Sequence, residues 1–213
     1  MTSISSSYDL LCFLKEQNLI NEKDEFWWPN DNKFEILLGS ILTQNTKWSN
    51  VEKSLENLKK LDINSIEKLS NINLDELIIA ITPSGFKNQK SVRLIGLAKN
   101  IIKDFISFEE FCLKVDRTWL LKQKGIGPET ADSILCYSCR QDCMVVDSYT
   151  VRLLKRFGYE FESYEELQSW CEYGINENYD KIAKLYNYEI SLNKIYARFH
   201  GKIIEFMKRN PKG

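Results

Sequence analysis

Apolar residues recur along this chain at helical spacing rather than at the spacing of strands. In the segment 47–61, valine and leucine side chains fall on one face of a helix and charged side chains on the other. That apolar face carries Val51, Leu55, Leu58 and Leu61. The segment 34–42 is nearly all apolar, which predicts a helix buried in a core. Similar spacing predicts helices over 88–105, 116–124, 129–140, 148–157, 163–173 and 180–208.

Helix starts are marked by a serine or asparagine followed three residues later by glutamate, the capping-box pattern. The pattern occurs at Asn73 and Glu76, at Ser107 and Glu110, and at Ser163 and Glu166. The one strand-like run, 144–146, is three residues long and cannot form a sheet by itself. The sequence therefore predicts an all-α protein, and we find no repeat, low-complexity tract or linker.

Composition and charge argue against two classes of protein, those that bind nucleic acid by bulk charge and those that span a membrane. The chain has 213 residues, of which 43% are hydrophobic, and a net charge of −1. This charge argues against a protein that binds nucleic acid by bulk electrostatics, although the basic segments 90–103 and 198–213 could supply a local basic face. Apolar runs stay short of the roughly 18 residues that span a bilayer, and the N-terminus lacks a signal-peptide pattern. We expect a cytoplasmic protein with no membrane partner.

The six cysteines are expected to be free thiols, since no signal peptide directs the chain to an oxidising compartment. Cys136, Cys139 and Cys143 are spaced to share one face of a helix, where thiolates could converge on a metal. A fourth ligand is not found nearby, so packed thiols are favoured over a metal or redox role.

Two glycines and a proline interrupt the helical pattern at Gly125-Ile126-Gly127-Pro128. They predict a tight hairpin between the segments 116–124 and 129–140, with Pro128 in the first turn of the second helix. Backbone N–H groups at the start of that helix could bind a DNA phosphate. An ordinary helix corner, with glycines serving geometry alone, is the alternative.

Asp147 lies eighteen residues beyond Glu129, just before another predicted helix. A lone carboxylate there would be read as a helix cap. The combination of hairpin and aspartate over 120–158 closely resembles the helix-hairpin-helix-Gly/Pro-Asp superfamily of base-excision DNA glycosylases, typified by endonuclease III. Upstream, FEILLGSILTQNTKW resembles that family's early core helix and its glutamine-bearing loop.

The resemblance implies an all-α, two-lobed fold with the active-site cleft between the lobes. One lobe would comprise approximately 1–32 and 142–213. The other would comprise approximately 33–141 and contain the helix-hairpin-helix at 116–140. Such an enzyme is expected to act as a monomer on double-stranded DNA.

Two departures from the family pattern narrow the expected chemistry. Bifunctional members carry a lysine in the hairpin that attacks the sugar, but here the position is Glu129, which cannot form an imine. After Cys143 only Cys171 remains, so the family's four-cysteine iron–sulfur motif is missing. The resemblance therefore implies a monofunctional glycosylase without lyase activity, and we expect no metal and no cofactor.

Five further stretches, WWP, LTQNTKW, PSGFKNQK, CMVVD and YARFHGK, resemble the 3-methyladenine DNA glycosylase III branch. This resemblance implies a base pocket formed by Trp27, Trp28, Pro29, Trp48 and Lys208. Core packing is the alternative for the tryptophan pair. The same resemblance suggests that Lys202 is a buried, carbamylated lysine; a solvated lysine is the alternative.

Contacts with DNA are expected from the hairpin and from the glutamine loop. The expected residues are Gln44, Gly125, Ile126, Gly127, Glu129 and Thr130. Gln44 is interpreted as a wedge that fills the gap left by an extruded nucleotide, against the alternative of a polar residue closing a helix. His200, the one histidine in the sequence, is assigned a structural or DNA-backbone role.

The expected substrates are alkylated, cationic purines such as 3-methyladenine. Their positive charge favours aromatic rings and makes the base a good leaving group, so that no general acid is needed. Asp147 would stabilise the positive charge that develops on the sugar and orient the attacking water. A glycosylase for oxidised or mismatched bases and a non-catalytic DNA-binding protein are the competing interpretations.

Overall fold

The computed structural model describes residues 4–20, 26–186 and 188–211, and these form helices joined by short connections. The helices are α1 (Ser7–Glu16), α2 (Lys33–Leu42), α3 (Trp48–Lys60), α4 (Ile66–Asn71), α5 (Leu74–Ala80), α6 (Lys87–Asp104), α7 (Phe108–Lys114), α8 (Arg117–Leu121), α9 (Pro128–Ser133), α10 (Ser148–Arg156), α11 (Tyr164–Asn176), α12 (Tyr179–Ala183) and α13 (Leu192–Arg209). A stretch of π-helix, Ile134–Ser138, continues α9. Within these described ranges there is no strand, so the all-α prediction is confirmed.

Across the described ranges, no helix combines the length and the apolar character of a membrane span.

Contacts between residues divide the chain into two compact units. Unit 1 comprises 1–29 and 141–213, and unit 2 comprises 30–140. The lobe boundaries expected from the resemblance stay a prediction of domain organisation.

Unit 1 is built around the long helix α13. Helix α1 packs against α11 and α13, and α10 also packs against α13. Apolar side chains from all four helices form one continuous core. This core sets the position of the start of α10, where Asp147 lies.

Unit 2 is built around α2. From Phe34 to Leu42 every residue of this helix is buried except Glu35, as its nearly continuous apolar sequence predicts. Helices α3, α6 and α9 and the π-helical stretch pack against it. Helix α3 buries Val51 and Leu58, but Leu61 lies just past the helix end and is exposed.

The three predicted helix caps are confirmed. The side chains of Asn73, Ser107 and Ser163 each accept a hydrogen bond from a backbone N–H in the first turn. In the two serine motifs, the glutamate side chain does not bond to the backbone N–H of the capping serine, as a capping box requires, but to that of the residue before it. Glu110 and Glu166 accept from the backbone N–H of Ile106 and Glu162, which precede the caps.

Two sequence-based expectations are wrong. The predicted helix 180–208 is two helices, because Ser191 caps a new helix start by accepting from the backbone N–H of Lys194. The three-cysteine helix face is not formed, because the helical turns end at Ser138 and leave Cys143 outside them. In the part of the chain that is described, no cluster of three or more His, Cys, Asp or Glu side chains is arranged to hold a metal.

Lys90 on α6 lies in the interior of unit 2 rather than on a basic face. Its side-chain amine donates to the carbonyls of Leu42 and Ser84, each at 2.8 Å. Burial, with a smaller contribution from the charge of Arg93, lowers the pKa of Lys90 to about 8. The amine satisfies the carbonyl of Leu42 at the end of α2, which has no partner within that helix.

We predict that Lys90 makes folding stability depend on alkaline pH. Its pKa is lower in the folded state, so the unfolded chain binds more protons between about pH 8 and 10.5 and stability rises with pH across that window. Urea unfolding of wild type and Lys90→Met should show the wild type gaining on the variant by on the order of 1 kcal/mol per pH unit. Lys103→Met, at an exposed position on the same helix, keeps Lys90, so its stability difference from wild type should stay constant across the window. A constant difference between wild type and Lys90→Met would contradict the prediction.

Candidate active site

The hairpin predicted from Gly125 to Pro128 is present in unit 2. Helix α8 ends at Leu121, earlier than predicted, and α9 begins at Pro128 after Gly127 as its cap. Gly125 has a φ of +80°, a conformation that glycine adopts without strain. The buried carboxylate of Asp132 accepts from Arg117 Nε at 2.8 Å, which joins α9 to α8.

Hairpin residues assigned to DNA contact differ in exposure. Gly125, Gly127 and Glu129 are exposed, whereas Ile126 and Thr130 are buried. The hydroxyl of Thr130 accepts a hydrogen bond from the side-chain amide of Gln44 at 2.9 Å. The fold therefore brings Gln44 and the hairpin together, although 86 residues separate Gln44 from Thr130. Their contacts with DNA stay a prediction.

Asp147 caps the start of α10 in unit 1, and its two carboxylate oxygens face different partners. Oδ1 accepts from the backbone N–H of Thr150 at 2.9 Å and from its hydroxyl at 3.0 Å. Oδ2 lies 3.6 Å from Nε2 of His200 on α13. The side chain of Asp147 is 10% exposed. The carboxylate caps the helix with one oxygen and leaves the other outside the cap.

The surroundings of Asp147 favour its ionised form. Burial would raise the pKa of this carboxyl, but the interaction with His200 and the hydrogen bonds from Thr150 outweigh it, so the pKa lies below its usual range. This contribution to stability is present above the pKa of the unfolded carboxyl and is lost as pH falls through the lowered value. Asp147 is therefore a buried carboxylate at neutral pH.

Trp27 links this carboxylate to the far end of α13. Its ring meets His200 edge to face with centroids 5.7 Å apart, and the amine of Lys208 lies 5.9 Å from its centroid. Trp27 has a φ of +65°, a left-handed conformation that costs a large side chain about 1–3 kcal/mol. At Gly201, a Cβ would collide with the Trp27 indole, so glycine is required for this close approach.

The remaining residues assigned to the site lie in both units. Trp28 is half-buried and Pro29 is exposed, directly after Trp27. Lys202 is buried on α13, at 3% exposure. Trp48 is the first residue of α3 in unit 2 and is half-buried. Unit 1 thus brings together Asp147, Trp27 and Lys208, while Gln44 and the hairpin meet in unit 2.

The contacts of three residues in these sites were not predicted from the sequence. His200 had been assigned to structure or the DNA backbone, and the structure places it between Asp147 and Trp27. Gly201 gives no signal of its own, because a glycine within a helical pattern reads only as a weak position. Arg93 looked like part of a basic surface, but it donates to the side-chain oxygen of Gln44.

Comparison with known proteins assigns the family. The sequence profile of the HhH-GPD superfamily of base excision DNA repair proteins matches residues 38–174, which include the hairpin and Asp147. The chain belongs to the HhH-GPD superfamily. Among its relatives, a Methanocaldococcus jannaschii protein provisionally named a DNA repair glycosylase is 36% identical over 86% of this chain and 80% of its own length. Thermotoga maritima endonuclease III is 25% identical over 85% of this chain and 78% of its own length.

One solved structure has a higher sequence identity to this chain than these relatives have. The crystal structure of the H. pylori 3-methyladenine DNA glycosylase MagIII, bound to 1,N6-ethenoadenine, is 49% identical with a TM-score of 0.94. The match covers 98% of this chain and all of that one. An endonuclease III–DNA covalent intermediate has a TM-score of 0.73 at 18% identity, over 99% of this chain and 90% of that one, and shows the shared fold alone.

We predict that Gly201→Ala displaces Trp27, because the added methyl group collides with the indole. Overpacking of this kind destabilises a protein by about 1–3 kcal/mol, which urea unfolding would measure. Gly96→Ala is the matched control, since a Cβ at Gly96 on α6 meets nothing within 4 Å. The control should be stabilised by about 0.5–1 kcal/mol through helix propensity. Equal stability changes in the two variants would contradict the packing argument.

Proposed function

We propose that this HhH-GPD protein is a monofunctional DNA N-glycosylase that excises alkylated, cationic purines such as 3-methyladenine. The superfamily assignment supports base-excision repair as its role and DNA as its partner. The 49% identity to a 3-methyladenine DNA glycosylase supports the substrate class. We propose that it acts as a monomer on double-stranded DNA.

The observation that carries the proposal is the buried, ionised carboxylate of Asp147. Its Oδ1 is committed to the start of α10, while Oδ2 lies outside that cap. As the glycosidic bond breaks, the base leaves with the bonding electrons and C1′ of the sugar becomes positively charged. A carboxylate about 4 Å away stabilises that charge by about 4 kcal/mol at an effective dielectric constant near 20.

Hydrolysis is completed by water. Its oxygen adds to C1′ and its proton passes to Asp147 or to solvent, which leaves an abasic sugar and the free base. A cationic base needs no added proton to leave. Asp147 therefore suffices as the catalytic residue.

Recognition of the base is assigned to aromatic rings and one lysine. The proposed pocket residues are Trp27, Trp28, Pro29, Trp48 and Lys208. An aromatic face attracts a cationic base by roughly 0.5–2 kcal/mol more than a neutral one. The strained backbone of Trp27 and its close packing on Gly201 support a fixed ring rather than an adaptable one. Extracting the nucleotide from the duplex costs a few kcal/mol, which stacking on such rings would offset.

The exposed hairpin residues are proposed to contact the DNA backbone. Glu129 stands where a lyase nucleophile would be, so the enzyme should leave the sugar–phosphate chain intact. Lys202 is proposed to be carbamylated, and its burial supports this because a buried lysine readily loses its charge and can then react with carbon dioxide. An oxidised-base substrate would be neutral, and the proposed pocket offers it no corresponding electrostatic gain.

Base release from defined substrates tests the proposal. Alkylated duplex DNA should release 3-methyladenine at least about tenfold faster than duplexes containing 8-oxoguanine or thymine glycol release those bases, a difference of about 1.4 kcal/mol. Chromatography of the released bases measures this. The strands should break only after alkali treatment, because the product is an abasic site.

Each competing interpretation has its own outcome in this assay. Faster release of the oxidised bases would contradict the substrate assignment. Strand breaks before alkali would contradict the monofunctional assignment. Binding of duplex DNA without release of any base would favour a non-catalytic protein.

A further inference from the structure

Both polar atoms of the Gln44 side chain make hydrogen bonds in the free protein. Its amide nitrogen donates to the carbonyl of Gly125 at 3.1 Å and to the hydroxyl of Thr130 at 2.9 Å. Its oxygen accepts from Nη1 of Arg93 at 2.9 Å. The carbonyl of Gly125 can only accept and the guanidinium of Arg93 can only donate, so these partners fix the orientation of the amide.

Arg93 also contacts the hairpin directly. A Cβ at Gly125 would collide with the guanidinium group of Arg93, so the side chain lies against the bare backbone of the turn. One turn earlier on α6, Lys90 holds the carbonyl of Leu42 at the end of α2. Helix α6 therefore holds both the start of the loop between α2 and α3 and the glutamine within it.

This arrangement bears on how Gln44 could act. Three hydrogen bonds, one of them with a charged donor, hold Gln44 in place before DNA binds. A hydrogen bond with a charged donor is stronger than one between neutral groups. These hydrogen bonds tie the loop to the hairpin.

We propose that Gln44 and Arg93 form a brace that joins the loop between α2 and α3 to the hairpin, so that both meet DNA as one preformed surface. Arg93 is a positioning residue in this arrangement and acts through Gln44. The proposal deepens the proposed function and rests on it for the role of DNA. A preformed surface binds more tightly because fewer side chains must be ordered on association.

Binding to a lesion-free duplex tests the brace. Arg93→Met and Gln44→Ala should each weaken binding by about tenfold, as expected for the loss of one charge-assisted hydrogen bond. The double variant should bind no more than about twofold more weakly than Gln44→Ala, since Arg93 acts through the glutamine. Lys99→Met, an exposed position on the same helix, removes the same charge and should lie within about threefold of wild type.

The rate of base release at saturating enzyme separates an effect on DNA binding from an effect on the reaction. Arg93 affects association through Gln44, so Arg93→Met should keep this single-turnover rate within about twofold of wild type. If Arg93→Met binds the duplex as tightly as wild type while Gln44→Ala binds it more weakly, Gln44 acts without Arg93 and the brace is wrong. Effects that multiply in the double variant would show that Arg93 contacts DNA by itself and would also overturn the proposal.

A measurement on the free protein needs no DNA. The side-chain amide protons of Gln44 should exchange with solvent more slowly than those of the exposed Gln89, and Arg93→Met should remove this protection. Thr130→Val, which removes one hairpin acceptor, serves as a second variant if Arg93→Met does not fold. Equal exchange at Gln44 and Gln89 in the wild type would refute the brace. If the wild type releases no base, the proposed function fails, while the exchange result still decides whether the brace exists.

Discussion

A buried negative charge at the start of α10 is the constraint on which the rest of this structure depends. Burial alone would drive the carboxyl of Asp147 toward its neutral form, and a neutral acid could not stabilise a cationic sugar. Two hydrogen bonds from Thr150 and the nearby imidazole of His200 reverse that tendency. Unit 1 therefore both keeps the charge and fixes its position.

The packing of α13 also fixes the surroundings of the Asp147 carboxylate. His200 and Gly201 are consecutive residues, and one faces Asp147 while the other admits the Trp27 indole. Lys208, two turns later, reaches the same ring. One helix thus sets the relative positions of the carboxylate, an aromatic ring and a cation, provided that the apolar core holds α10 and α13 together.

Sequence patterns predicted the local parts of this structure. The helix caps, the buried α2 and the glycine hairpin follow from rules that act over a few residues. Asp147 could be found because the hairpin and the aspartate together resemble the pattern of the superfamily. Long-range contacts could not be found in this way. The hydrogen bonds of Gln44 span 49 to 86 residues, and no periodicity predicts that Arg93 turns inward. The break between α12 and α13 was missed because Ser191 was not recognised as a cap.

The most direct measurement of the central claim is single-turnover release of 3-methyladenine by Asp147→Asn. Asparagine can still cap α10 but carries no charge, so release should fall by about 10²–10³-fold while duplex binding stays within about twofold of wild type. Asp9→Asn is the matched control, because Asp9 is a second carboxylate in unit 1 at a helix start with a lowered pKa, and it should retain full activity. Release by Asp147→Asn at the wild-type rate would contradict the account.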